Sequence, residues 1–330
     1  MPLSRRGPRE ILFSARVIPA LHVEKPGLLT TVQDLGRPNA IAAGVQPGGA
    51  MDRFAHAAAN LLVGNDPGLA TLECTLIGPA LVAEQTCLIA ITGADLDPRV
   101  NGAPAPMWTS LLLGAGDRLT FAGRRQGARA YIAIAGGFAA DRWLGSLSTN
   151  LMTARGGKQG RPLKAGDALS AAGEASKPTG AGRNLPEHLR PAYSDHTLHA
   201  FAGPHLKRLD AEGRHRLYSS PYEIGRDSDR MGYRLDGPKL SITGEELLSF
   251  GLVAGAVQVP RGGLPILLMA DHQTAGGYPV VATVVSASLP IAAQLLPGDQ
   301  LQLAEITVAR AQKMRQALAA ALETLRGEAG

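Results

Sequence analysis

Apolar residues fall into short runs rather than long helical stripes. LIAITGA (88–94), YIAIAGG (131–137), AVQVP (256–260), PILLMA (265–270) and VVATVV (280–285) are each bounded by Gly, Pro or Asp, and ILFSARVI (11–18) lies near the N-terminus. Apolar runs of this length with turn-forming flanks predict strands. Two segments carry helical spacing instead. DRFAHAAANLLVG (52–64) opens on Asp52 as an N-cap, continues through an Ala/Leu interior and stops at Gly64. TVARAQKMRQALAAALETL (307–325) sets apolar residues at helical spacing with Arg and Lys outside. One run is broken by chemistry: PILLMA gives way to DHQTAGGYP before VVATV resumes.

The polar, Gly/Pro/Ala-rich stretch AAGEASKPTGAGRNLPEHLRPAYS (171–194) reads as a linker. The expected division is an N-terminal extension over 1–20, a first lobe over 21–175, the linker over 176–194, and a second lobe with the terminal helix over 195–330. Phrases recur on either side: LIGPALV (76–82) with LDGPKLS (235–241), and GDRLTF (116–121) with GDQLQL (298–303). A divergent duplication explains both echoes; so does chance, because Gly-Pro and Gly-Asp turns are common in β proteins.

Composition strengthens the β reading. The 330 residues include 40 Gly and 23 Pro and are 45% hydrophobic, as expected of a soluble globular protein built of short strands and tight turns. The formal charge of +5 comes from dispersed arginines, and aromatics make up only 4%, so a solvated basic surface is expected rather than a nucleic-acid partner. The N-terminus lacks the apolar core of a secretory signal, and no run approaches a membrane span. Cys74 and Cys87 sit in strand-like runs as buried free thiols, which suits a reducing cytoplasm.

Several chemistries are excluded by motif. RGGKQGR (155–161) has the wrong spacing for a phosphate loop, and neither a G-x-S-x-G elbow nor a dinucleotide fingerprint occurs. His196 and His199 have no further ligand cluster, so no metal is expected. Four polar clusters remain: TVQDLGRP (31–38), GGAMD (48–52), DSDRMGYRL (227–235) and DHQTAGGYP (271–279). Each places a carboxylate beside glycine, where a shifted pKa allows acid or base chemistry and the backbone can approach a ligand. Taken singly, each also reads as a turn with capping Asp. Arg230 and Arg234, four apart, share a face in helix or strand and could fork one carboxylate or phosphate; two surface arginines beside Asp229 and Asp236 is the equal alternative.

In order, VQDLGR, GGAMD, AHAAANLLVGN, LECTLIGP, ITGAD, YIAIAGG, LGSLST, SDRMGYRLDGP, GAVQVPRGGLPILLMADHQTAGGYP and QLLPGD resemble the biotin-dependent carboxyltransferase-domain family from about Gly27 to Glu305. That family includes the C-type component of bacterial ATP-dependent 5-oxoprolinase, the Kip-type antagonist, proteins labelled allophanate hydrolase subunit 2, and the carboxyltransferase domain of urea carboxylase. The resemblance implies a mainly β fold of two cyclophilin-like β-barrel lobes with a few short helices and a C-terminal helix. It also implies a composite site between the lobes, with DHQTAGGYP as its loop. The leading expectation is an ATP-dependent lactam-opening subunit, 5-oxoproline to glutamate, working with a B-type and an A-type partner and inactive alone.

Asp271 and His272 are the expected base candidates and Arg230 the electrophilic donor. Substrate contacts are expected from Gln33, Asp52, Asp229, Arg234, Gln258, Gln273, Thr274, Gly276, Gly277 and Tyr278. Carboxyl transfer is the first alternative; with no biotinylation hairpin here, and Lys313-Met314 inside the final helix, carboxybiotin must come on another protein. The second alternative is a non-catalytic regulator. The chain departs from the family at His272, Gly48 and Leu147, and at Ala275, Val280 and Ser288, where Arg, Ser and Arg, and Thr, Lys and Asp respectively are usual.

Overall fold

The computed structural model describes residues 18–173 and 180–326. The expected strand at 11–18 and the N-terminal extension therefore lie outside the described residues, apart from 18–20. The architecture is mainly β, with few helices and a helix at the C-terminal end, as expected.

In the first half two sheets face each other. One runs Ala168–Ala171, Ile18–Lys25, Ala80–Ala83, Arg118–Phe121, Pro98–Val100, Ala103–Pro104; the other runs Leu29–Gln33, Thr71–Thr75, Gln126–Ile134, Cys87–Asp95, Ser110–Leu113. Leu21, Leu81 and Leu119 from the first sheet meet Leu72, Ile89, Ile91 and Ile132 from the second in one core. The opposite face of the second sheet, including Leu88, Ala90 and Ala133, is covered by helix α1 (Arg53–Leu62). With both faces buried, Cys87–Asp95 reads as an almost unbroken apolar run instead of alternating. Cys74 and Cys87 are unpaired and buried, and burial pushes their thiols up to about 12 and about 11, so neither is a nucleophile at neutral pH.

In the second half seven strands close a barrel in the order Thr197–Ala202, Val280–Val284, Ala256–Gln258, Ile266–Leu268, Gly232–Asp236, Pro221–Ile224, Gln300–Glu305. Leu198, Tyr222, Tyr233, Val257, Leu267, Val281 and Leu303 fill it. Helix α2 (Ala211–Ser219) was not anticipated: only Gly213 and Leu217 are buried, so it has no apolar stripe to read, and its signal is the cap from Asp210 to Gly213 N. A short α3 (Leu289–Ala292) and the long α4 (Val308–Arg326) complete the helices. The recurring Gly-Asp turns are built alike: Asp117 accepts from Gly114 N at 2.7 Å and Asp299 from Leu296 N at 2.9 Å, with Gly116 and Gly298 both left-handed.

The halves are held at several points. In the segment expected as a linker, the described residues 180–194 are docked on the first half: Leu185 is fully buried, Tyr193 stacks on Trp108 and its hydroxyl donates to Asp52 at 2.7 Å. Helix α4 returns to the first half, where Ala321 and Leu325 join the core of α1. Gln294, just past α3, reaches across the interface. Its Oε1 accepts from Ala128 N and Arg129 N at 2.9 Å each, and its Nε2 donates to Asp52 at 2.8 Å. Replacing Gln294 with Leu strands both backbone donors, and at about 1–3 kcal/mol per stranded group the expected loss is roughly 2 kcal/mol or more, measurable by urea denaturation.

Candidate functional site

The strand Thr71–Thr75 carries a charged residue into an otherwise apolar interior. Glu73 is 2% exposed, accepting from Met51 N at 2.9 Å and from the Tyr131 hydroxyl at 2.7 Å. Its counter-charge comes from the other half: Arg230, in the turn before Gly232–Asp236, pairs through Nη1 with Glu73. Arg230 Nε donates to Asp271 Oδ2 at 2.8 Å, and Nη2 donates to Asp271 Oδ1 at 3.2 Å and to Gly49 O at 2.6 Å. All three nitrogens are therefore engaged. Burial opposes charging Glu73, but Arg230 and Arg129 outweigh it and hold the carboxyl below its ordinary range; Arg230 is correspondingly raised, burial again being overcome by Asp271 and Glu73.

Asp271 ends this chain of charges at the edge of an interlobe cleft of about 530 Å³, which Gln46, Asn150, Asp229 and Arg129 also line. Gln46 Nε2 donates to the Asp271 carbonyl at 2.6 Å, and Asn150 Nδ2 to Gln46 Oε1 at 3.2 Å. A second network fixes the loops beneath. Asp34 gathers Gly36 N, Leu147 N and the hydroxyls of Ser146 and Ser148, joining VQDLGRP to LGSLST. Although burial works against it, these donors keep its carboxyl below the ordinary range. Arg37, 2% exposed, donates to the Ser148 carbonyl, lies 4.9 Å from the Trp143 ring centre, and leaves Nε and Nη1 unpartnered among the described residues. Gly48 is left-handed, and a Cβ there would stand 2.9 Å from Arg37 Nη1 and 3.5 Å from Asp271 Oδ1, so a side chain at this position would crowd Arg37.

The loop DHQTAGGYP joins barrel strands Ile266–Leu268 and Val280–Val284, and its residues part company along the way. Asp271 faces the cleft. His272, 2% exposed and bonded through Nδ1 to the Gln273 carbonyl at 2.7 Å, lines a separate apolar cavity. Burial lowers its pKa, so it is neutral at pH 7. Gln273 donates to Gln258, and Gln258 to the Tyr278 carbonyl, both at 3.2 Å, in the interior behind the loop. Ala275–Gly276 pairs with Phe250–Gly251, and the Thr274 carbonyl accepts from Leu252 N. Gly277 and the half-exposed Tyr278 line a third cavity, of about 810 Å³. With this pairing in its middle, the loop divides its side chains among three cavities instead of presenting them to one.

Of the remaining expected residues, Asp229 reaches the cleft while its Oδ1 accepts from Met231 N at 2.8 Å. Gln33, 1% exposed, donates to Thr31 Oγ1 and the Thr149 carbonyl beneath the loops. Asp52 is fully buried as the cap of α1, accepting from Ala55 N at 2.9 Å as well as from Tyr193 and Gln294, and faces none of the three cavities above. Arg234 is exposed on a strand whose Tyr233 and Leu235 point into the barrel, whereas Arg230 is buried in ion pairs, so the two do not fork one anion. Arg234→Ala is expected to change stability by no more than about 0.5 kcal/mol, and activity hardly at all, in paired melting and turnover measurements. Glu73, Gln46, Asn150 and Arg37 were missed; the usable signal was Glu73 itself, a carboxylate in an apolar strand, which must find a buried partner.

Asp52 and His56, one turn apart on α1, titrate in opposition. Burial pushes Asp52 up from 3.8 to about 6 and His56 down from 6.5 to about 4. As pH rises between about 4 and 6, the unfolded chain ionises Asp52 while the folded one resists, costing stability; as pH falls from 6.5 towards 4, the unfolded chain protonates His56 while the folded one resists, again costing stability. Asp52→Asn removes the first effect, so stability is expected to fall more steeply with acid, by up to about 1.4 kcal/mol per pH unit, in denaturation series between pH 6.5 and 4.5.

A family profile described as carboxyltransferase domain, subdomain A and B, matches residues 43–305. The C-type component of 5-oxoprolinase from Escherichia coli (strain K12) is 37% identical over 299 residues, which are 90% of this chain and 94% of that protein. A putative urea carboxylase of Emericella nidulans is 35% identical over 86% of this chain, but the match spans only 24% of that protein. The crystal structure of K. lactis urea amidolyase superposes with a TM-score of 0.87 at 28% identity, over 96% of this chain and 20% of that one.

Proposed function

Since the chain belongs to the carboxyltransferase-domain family, subdomains A and B together, we propose that it is the C-type component of an ATP-dependent 5-oxoprolinase. In this reading it helps open the lactam of 5-oxoproline to glutamate, in a complex with a B-type and an A-type subunit. The observation that carries it is the match to the C-type component from E. coli, which extends over 94% of that protein. The cleft agrees in its chemistry. Asp271 offers carboxylate oxygens to a lactam N–H, and the side-chain amides of Gln46 and Asn150 stand nearby for its carbonyl. Four of the five Arg230 N–H donors are taken by Asp271, Glu73 and the Gly49 carbonyl, so its role moves from electrophile to positioning: it fixes both Asp271 oxygens.

The cleft does not fit a triphosphate. Asp229 and Asp271 line it, Arg230 is neutralised by two carboxylates, and no glycine-rich phosphate loop is present. In this reading the partner subunits bind the nucleotide. Carboxyl transfer with carboxybiotin brought by another protein is the second reading, favoured by the backbone match to urea amidolyase. Against it, the position where the family usually has lysine is Val280, 5% exposed and packed with Leu252, Ala256 and Leu268.

Co-expression with candidate B-type and A-type subunits tests both. The expected result is one complex that releases glutamate and ADP from 5-oxoproline and ATP, with no turnover by this chain alone. Turnover by the isolated chain, or bicarbonate-dependent carboxylation without lactam opening, would overturn the first reading.

A further inference from the structure

A cavity of about 490 Å³ lies at the joint of the two halves, behind the loop that carries Asp271 and distinct from the cleft. Its apolar walls come from Met51 just before α1, Phe54 on α1, Leu252 and Met269 of the second half, and Leu318 and Leu322 of α4. Two arginines, Arg53 and Arg315, also line it, and no Asp or Glu does. Both are exposed, and neither forms an ion pair with a carboxylate among the described residues. His272 is 2% exposed at the same cavity, its Nδ1 bonded to the Gln273 carbonyl at 2.7 Å.

An apolar cavity of this size whose lining carries two guanidinium groups and no carboxylate has the make-up of a small-molecule site rather than of leftover core. We infer that the cavity binds an amphipathic monocarboxylate, its apolar body against Met51, Phe54 and Leu322 and its carboxylate at Arg53 and Arg315. Charge selects the class: the guanidinium fork matches a carboxylate, and the absence of acidic residues disfavours amines. The site does not depend on the lactam reading, since it shares neither Asp271 nor Arg230 with the cleft.

Calorimetric titration of the full chain with decanoate and, in parallel, with 1-decanol tests the assignment, and the His272 ring resonances report where binding occurs. Decanoate should bind saturably and shift the His272 signals, with decanol at least about 10-fold weaker. Arg315→Gln, an exposed change on α4, should weaken decanoate by about 10-fold, the size of a lost charge-assisted hydrogen bond. Ala319→Trp, also exposed on α4 and lining the cavity, should block binding of both without unfolding the chain, as far-UV circular dichroism will show. The proposal falls if decanoate does not bind saturably, if decanol binds equally well, or if Ala319→Trp binds decanoate like the wild type. Saturable capture of an apolar partner-subunit peptide together with indifference to decanoate would likewise replace it with a protein-docking surface.

Discussion

Arg230→Met is expected to destabilise the protein by about 3–5 kcal/mol, the cost of leaving a buried charge without its partner. The charge left behind is Glu73, 2% exposed and held inside the first half by Tyr131 and Met51 N. Asp271 loses its only ion pair among the described residues at the same time. Arg230→Lys retains the charge but not the fork across Asp271, Glu73 and Gly49, so it should recover only part of the loss. The double variant Glu73→Gln with Arg230→Met should be more stable than Arg230→Met alone, because no unpaired carboxylate then remains in the strand Thr71–Thr75. Urea denaturation of the four proteins measures all of this. A loss below about 1 kcal/mol for Arg230→Met would mean that Glu73 takes up a proton at little cost and that the interlobe pair does not hold the halves.

Asp271→Asn should lower 5-oxoproline turnover by the assembled complex at least about 100-fold, equivalent to about 2.7 kcal/mol of transition-state stabilisation, while the melting temperature changes little. The two effects separate because Asn keeps one carbonyl oxygen for Arg230, which also remains tied to Glu73 and the Gly49 carbonyl. What disappears is the negative charge at the edge of the cleft. A large drop in melting temperature with turnover per folded complex unchanged would make Asp271 a structural tie, and equal activity would remove it from the reaction.

The helices with ordinary signals were legible in the sequence. Asp52 to Gly64 predicts α1 because cap, interior and stop agree, and the apolar spacing after Thr307 predicts α4. Strand positions were legible where Gly, Pro or Asp bounded an apolar run. Less accessible was which face each polar residue would meet. Asp52 looked like a ligand contact within GGAMD, yet its oxygens are consumed by the α1 cap, Tyr193 and Gln294, the last two more than 100 positions away. The even spacing of Arg230 and Arg234 allows one shared face or two separate arginines; Arg230 lies in a bend and Arg234 on a strand, so the spacing decides nothing. The flanking apolar runs mark DHQTAGGYP as a loop between two strands; the pairing of Ala275–Gly276 with Phe250–Gly251 inside it is two residues long, too short to announce itself. Glu73 carried the clearest unread signal, because a charge in a core strand demands a partner and SDRMG was the polar cluster able to supply one.

The return of α4 to the first half ties the order of synthesis to the order of folding. The apolar face of α1 emerges early, but Ala321 and Leu325, which help to cover it, follow only after the whole of the second-half barrel. At about 5–20 residues per second, that face waits on the order of ten seconds or more on the ribosome before its cover exists. Until then the first half is a nascent domain with an open hydrophobic flank, and its maturation waits on a helix translated well after its own strands.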